Sequence, residues 1–93
     1  MPRHIIARFF PRPGAEGAMA QALRDLAGPT RDEVGCLGYQ ALRAEGGFVI
    51  HSIWADDAAI DTHAALPHTQ AFLVVVQALC DQPPEIERCD LVA

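Results

Sequence analysis

DDAAIDTHAALPHTQAFL, residues 56–73, is the stretch around which the chain is organised. Asp56 or Asp57 can cap a short helix by accepting hydrogen bonds from the free N–H groups of its first turn. Ile60, His63 and Ala64 then share one face by the three-and-four spacing. Pro67 cannot continue that helix, but it suits the first turn of the next. Beyond it, His68, Phe72, Val75, Val76 and Leu79 form a second stripe at helical spacing. Both histidines therefore lie on the faces by which their helices bury themselves, an uncommon use of a titratable side chain.

Outward from this segment the pattern is legible in both directions. RHIIARFF (3–10) is β-branched and aromatic, and Pro11, Pro13 and Gly14 end it: a strand, then a turn. Met19, Ala22, Leu23, Leu26 and Ala27 predict an amphipathic helix over 15–27 that Gly28-Pro29 bends or breaks. Thr30 and Glu33 have capping-box spacing, which predicts a short restart before Gly35. CLGYQALR (36–43) and FVIHSIW (48–54) read as strands of a hairpin. The helix pair runs to Cys80, and Pro83-Pro84 leads into a last strand, 85–92. The order strand, helix, strand, strand, helix pair, strand predicts a single α+β domain over 1–93. Right-handed crossovers make it a ferredoxin-like split βαβ, βαββαβ, with an antiparallel sheet and its helices on one face.

If Arg43 faces Phe48 across the hairpin, one sheet face carries Leu37, Tyr39, Ala41, Phe48, Ile50, Ser52 and Trp54. The other carries Cys36, Gly38, Gln40, Leu42, Val49, His51 and Ile53, joined by His4 and Arg8. Neither is polar enough to lie open to water. The helices cover one, so a second copy is expected on the other, sheet on sheet, as a homodimer.

Composition narrows the function classes. The chain has 93 residues, 51% of them hydrophobic, and a net charge of −5. Its cations are seven arginines with no lysine. An acidic chain without a basic run argues against nucleic acid and anionic membranes. No apolar run approaches the ~20 residues that span a bilayer. Cys36, Cys80 and Cys89 are odd in number and lack CxxC spacing, the pattern of idle thiols in a reducing cytoplasm. No glycine-rich phosphate loop or nucleophile elbow is present. His63 and His68 stand five apart across a helix break, without the i, i+4 geometry of a helical zinc pair, so no metal site is expected.

ARF followed by PRPG, then GPTRDEVGCLGYQ, then FVIHSIWADDAAIDTHAALPHTQAF, resembles the antibiotic biosynthesis monooxygenase (ABM) domain, from about Ile5 to Val92. The resemblance implies a dimeric α+β barrel with a cavity between sheet and helices. It also implies oxidation of phenolic substrates to quinones by molecular oxygen, without metal or flavin. Haem-degrading relatives carry an Asn on the first strand; this sequence has none, and Ala7 takes that position. Many relatives place acidic residues before the tryptophan of the third strand, where Ser52 and Ile53 stand here.

Two function classes follow. In the first, a cofactor-independent monooxygenase acts on a small aromatic molecule, a phenol, hydroquinone or polyketide-like compound. A deprotonated phenol can itself supply an electron to oxygen, so a dry aromatic pocket and one base suffice. His63 is the expected catalytic base, since an unperturbed imidazole titrates near pH ~6.5. Tyr39, Trp54, His68 and Ser52 are expected to bind the substrate, with Arg88 neutralising a phenolate if it points inward. In the second class, the same fold is a non-catalytic or stress-associated dimer that binds a small molecule, and His63 merely packs the helix junction.

Overall fold

The computed structural model describes all residues, Met1 to Ala93. Its elements run β1 (Arg3–Phe9), α1 (Glu16–Arg31), β2 (Cys36–Ala44), β3 (Gly47–Trp54), α2 (Asp57–Ala65), α3 (Pro67–Leu79) and β4 (Glu85–Cys89). The strands form one antiparallel sheet in the order β2-β3-β1-β4. This is the ferredoxin-like α+β arrangement: β3 lies between β1 and β2, so each helical connection crosses over a strand.

Alternation along the strands separates the two faces. Ile5, Ala7 and Phe9 of β1 face Ser52, Ile50 and Phe48 of β3, and all six are buried under the helices. Met19, Leu23 and Leu26 of α1 and Phe72 and Val76 of α3 complete the core with Trp54. Each fully buried side chain of this size contributes about 1.5–3 kcal/mol. The hairpin register has Arg43 facing Phe48 and continues unbroken to Gly38 facing Ile53.

There the strand departs from expectation. Cys36 pairs with Trp54 and Gly38 with Ile53, so Leu37 is an extra residue in a β-bulge. A bulge reverses the sides beyond it: Leu37 is 57% exposed, while Cys36 packs against the core. Strict alternation had assigned them the other way round.

The helices carry further corrections. Asp56 is the cap of α2, accepting from the Ala59 N–H at 2.8 Å, and Pro67 opens α3. On α3, however, the buried face is Thr69, Phe72 and Val76, with His68 and Val75 displaced to its flank. α1 does not end at Ala27 but continues through Gly28-Pro29 to Arg31. Gly28 has no Cβ to clash with the proline ring, which lowers the usual bar to a helical residue before proline. Continuing the helix also buries Leu26, Ala27 and Thr30 along one face. Thr30 is therefore a fully buried residue of the last turn rather than a new helix cap. β4 stops at Cys89, short of the predicted Val92.

The segment after α1 meets α2 closely at Gly35, where the Ala55 N–H donates to the Gly35 carbonyl at 2.9 Å. A Cβ on Gly35 would stand 2.3 Å from the Ala59 Cβ, so two backbones would have to part. Gly35→Ala is expected to destabilise the fold by about 1–3 kcal/mol, the usual cost of overpacking. Adding Ala59→Gly should recover part of the loss beyond what its own helix penalty takes away. Urea denaturation of the two single variants and the double variant measures this, and purely additive losses would contradict the contact.

Candidate active site

Helices α2 and α3 roof the inner sheet face over a partly open cavity of about 220 Å³. Its wall is mostly apolar: Ile5, Ala7, Phe9 and Ile50 from the sheet, and Ile60, Phe72 and Leu73 from the roof. The polar side chains along it are Tyr39, Ser52, His63, Thr69 and Arg88. Four of the six residues singled out from sequence thus line one space.

His63 is held by a residue that the sequence did not single out for the site. Oε2 of Glu33, just past the end of α1, stands 2.7 Å from His63 Nδ1 and 2.8 Å from His68 Nε2. The side chains of Glu33, His63 and His68 are only 11%, 16% and 27% exposed. A carboxylate offers only acceptors, so both imidazoles donate to it. Such charge-assisted bonds contribute about 1.5–3 kcal/mol each. In a neutral His63 this selects the tautomer with its hydrogen on Nδ1 and its lone pair on Nε2. The Thr69 hydroxyl lies 3.3 Å from the same Nδ1. Trp54 packs on the other side, its ring centroid 4.5 Å from that of the imidazole, and its indole N–H donates to Ser52 Oγ at 2.9 Å.

The five-residue spacing and the helix break do not keep the two histidines apart, as the sequence argument against a metal supposed. The extended backbone at Leu66 turns α3 back, so the imidazole centroids stand 6.2 Å apart. The ligand atoms of Glu33, His63 and His68 lie within 4.8 Å of one another, the donor set of a two-histidine, one-carboxylate centre. Hydrogen bonds to the carboxylate account for the two short distances by themselves.

The remaining candidates occupy distinct places. Trp54 is 1% exposed and does not line the cavity itself; it backs His63 and Ser52, which do. His68 faces an outer groove between α1 and α3, beside Gln21 and Asp25. Arg88 touches the cavity, but its two terminal nitrogens are held by Asp57 at 3.0 Å and Asp61 at 2.9 Å. It therefore ties β4 to α2. The Tyr39 hydroxyl is buried and has no hydrogen-bond partner within the chain.

The chain matches the antibiotic biosynthesis monooxygenase family, ABM, over residues 2–74. It belongs to that family. Its relative in Mycobacterium tuberculosis, named "Putative monooxygenase Rv0793", is 36% identical over 84 residues, which cover 88% of this chain and 83% of Rv0793. The solved structure of Rv0793 superposes with a TM-score of 0.93 at 30% identity, covering 100% of this chain and 97% of the other. PA3566 of Pseudomonas aeruginosa gives a TM-score of 0.89 at 30% identity, covering 99% and 95%. The ABM relationship extends through the site: residues 2–74 include Tyr39, Ser52, Trp54, His63, His68 and the unforeseen Glu33. Arg88 falls outside them.

Burial pushes the Tyr39 phenol well above its ordinary range, partly offset by the Arg31 guanidinium. A pKa raised by folding stabilises the fold fully at pH below the unfolded value of about 10, and that stability is lost as pH rises further. Tyr39 is the only tyrosine, so phenolate absorbance reports on it alone. The folded chain is expected to show no phenolate at pH values where the unfolded chain already does. Phenolate should appear together with the loss of circular dichroism; a titration near ~10 in the folded state would contradict the burial.

Proposed function

We propose that this ABM-family protein is a monooxygenase that oxidises a small phenol or hydroquinone with molecular oxygen in the cavity beneath α2 and α3. The observation that carries the reading is His63, an imidazole anchored through Nδ1 to Glu33 on a mostly apolar wall; in its neutral form the lone pair lies on Nε2. Deprotonating a phenol there produces a phenolate in a water-poor space, where it is a strong electron donor. The phenolate passes one electron to oxygen, and the resulting pair combines at a ring carbon bearing hydrogen. The hydroperoxide then collapses to a quinone. One oxygen atom stays on the ring; the other leaves as water with the displaced ring hydrogen and the hydroxyl proton that His63 had taken. The substrate supplies every electron, so no prosthetic group is invoked.

Tyr39 supports the same reading. Its unpaired hydroxyl would otherwise carry a penalty of about 1–3 kcal/mol, and a substrate oxygen can relieve it. The cavity's 220 Å³ lies below the ~300–1,000 Å³ typical of ligand pockets, which favours substrates of one or two rings over larger polycycles. We further infer a homodimer. The outer sheet face carries Ile6, Val49 and Ile53 around the stacked pair of His4 and His51, and no helix of this chain covers it. No helix is long and apolar enough to cross a membrane, and the three cysteines are free, in keeping with a place in the reducing cytoplasm.

Oxygen uptake with a panel of monocyclic and bicyclic hydroquinones tests the proposal. Saturable binding without uptake would support the rival, a small-molecule-binding dimer without oxygenase chemistry. His63→Ala and His63→Gln should retain the fold and lose about 10²–10⁴-fold in turnover, the range of a general base. Glu33→Gln should also lose more than ~10-fold, because an amide can donate to Nδ1 and place the hydrogen on Nε2. Wild-type rates in all three would remove the base assignment. Chelators should leave turnover unchanged; loss restored by one divalent metal would make Glu33, His63 and His68 a metal centre.

The dimer has its own test in sedimentation. An obligate interface of this type buries about 2,000 Å² or more, so no folded monomer is expected at micromolar concentration. Val49→Glu, which places a charge on that face, should yield unfolded or monomeric chains. A stable folded wild-type monomer would overturn the assignment.

A further inference from the structure

The seven arginines divide into two groups. Arg3, Arg8, Arg12 and Arg88 each pair with a carboxylate. The other three, Arg24, Arg31 and Arg43, form no salt bridge, although the chain has twelve acidic residues and a net charge of −5. All three line one groove of about 420 Å³ between α1 and the β2–β3 hairpin. No acidic residue lines it, and it shares no lining residue with the His63 cavity.

The fold brings them together from two elements. Arg24 and Arg31 stand seven residues apart on α1, two turns along one side. Arg43 faces Phe48 across the hairpin, on the helix side of the sheet. Two of the guanidiniums are oriented by neutral groups. Arg31 Nη2 donates to the Tyr39 carbonyl at 3.1 Å, and the Arg43 guanidinium lies 4.8 Å from the centroid of the Phe48 ring. Contacts of this kind fix a guanidinium without neutralising it, and stacking leaves its N–H edge free for a planar or tetrahedral oxyanion. Between the cations the groove presents Leu23, Ala27 and Phe48, all buried apolar residues.

We propose that this groove binds a small organic anion, an oxyanion headgroup on a short apolar body. The headgroup is a carboxylate or a phosphate ester seated among Arg24, Arg31 and Arg43, with the body on Leu23, Ala27 and Phe48. Three like charges gathered at one place repel one another, and an anion turns that repulsion into attraction. The apolar floor distinguishes such a ligand from a bare inorganic ion. This inference stands apart from the oxygenase reading, because it rests on residues that do not line the oxygenase cavity.

The test is titration of the full-length protein, followed by ¹H–¹⁵N spectra that include the arginine Nε–H groups. The probes are hexyl phosphate, hexanoate, inorganic phosphate and hexanol. Saturable shifts at Arg24, Arg31, Arg43 and the Leu23 and Ala27 amides are expected with either hexyl anion, the tighter one identifying the headgroup. Inorganic phosphate should bind at least ~10-fold more weakly and hexanol should not shift the arginines. Binding should weaken as salt is raised. Arg24→Gln combined with Arg43→Gln should weaken it at least ~10-fold in a chain whose spectrum stays folded, since neither side chain is buried. Lysine at both positions, tested in the same way, should restore part of the affinity. No saturable shift with either hexyl anion would overturn the proposal. So would shifts confined to the His63 cavity, wild-type affinity in the double glutamine variant, or inorganic phosphate binding as tightly as hexyl phosphate.

Discussion

One carboxylate oxygen holds the site together. Glu33 Oε2 accepts from His63 at 2.7 Å and from His68 at 2.8 Å, with little access to water. A carboxylate removed from water is costly unless its lone pairs are met, and here two imidazoles from two helices meet them. The contact ties the end of α1 to both α2 and α3. It also selects one tautomer of His63 and fixes the ring against Trp54. An imidazole so placed is oriented by groups on three elements rather than by its own rotamer preference, and that rigidity makes a precise site possible.

The backbone around Glu33 is shaped to allow this. Gly28 lets α1 pass through Pro29, so the helix delivers its last turn with Thr30 buried. Two residues after Glu33, Gly35 brings the chain close enough to Ala59 that no side chain fits between them. The bulge at Leu37 then turns β2 so that Cys36 packs inward, ahead of the regular register that carries Tyr39 to the cavity. Three irregular points in ten residues set the position of one acid and one phenol.

Charge and apolar surface are sorted by place. The inner sheet face builds a cavity with few polar groups, while ion pairs of Arg3 and Arg88 with Asp57 and Asp61 gather α2 to β1 and β4. These pairs are partly exposed, so they steer the roof more than they stabilise it. Arginines without carboxylate partners collect in the groove between α1 and the hairpin, which shares no lining residue with the His63 cavity. The acidic chain thus keeps a mostly apolar cavity and a cationic groove separate.

The sequence by itself determined what depends on neighbours in the chain. The order of elements, the Asp56 cap, the Pro67 start of α3 and the pairing of Arg43 with Phe48 follow from turn chemistry, capping and two-residue alternation. The same alternation put Tyr39, Ser52 and Trp54 on the helix side, and the helical stripe put His63 there too. Tertiary structure decided what depends on distant partners. Pro29 reads locally as a break, yet burial of one helix face outweighs the loss of one hydrogen bond. Leu37 reads as an inward residue until the pairing with β3 slips by one. Glu33 read as part of a capping box with Thr30, because nothing local reveals a carboxylate's partners 30 and 35 residues away. Hydrogen bonds across such separations exist only once the chain has closed its loops, so the residue that orders the site carries no signature of its own in the sequence.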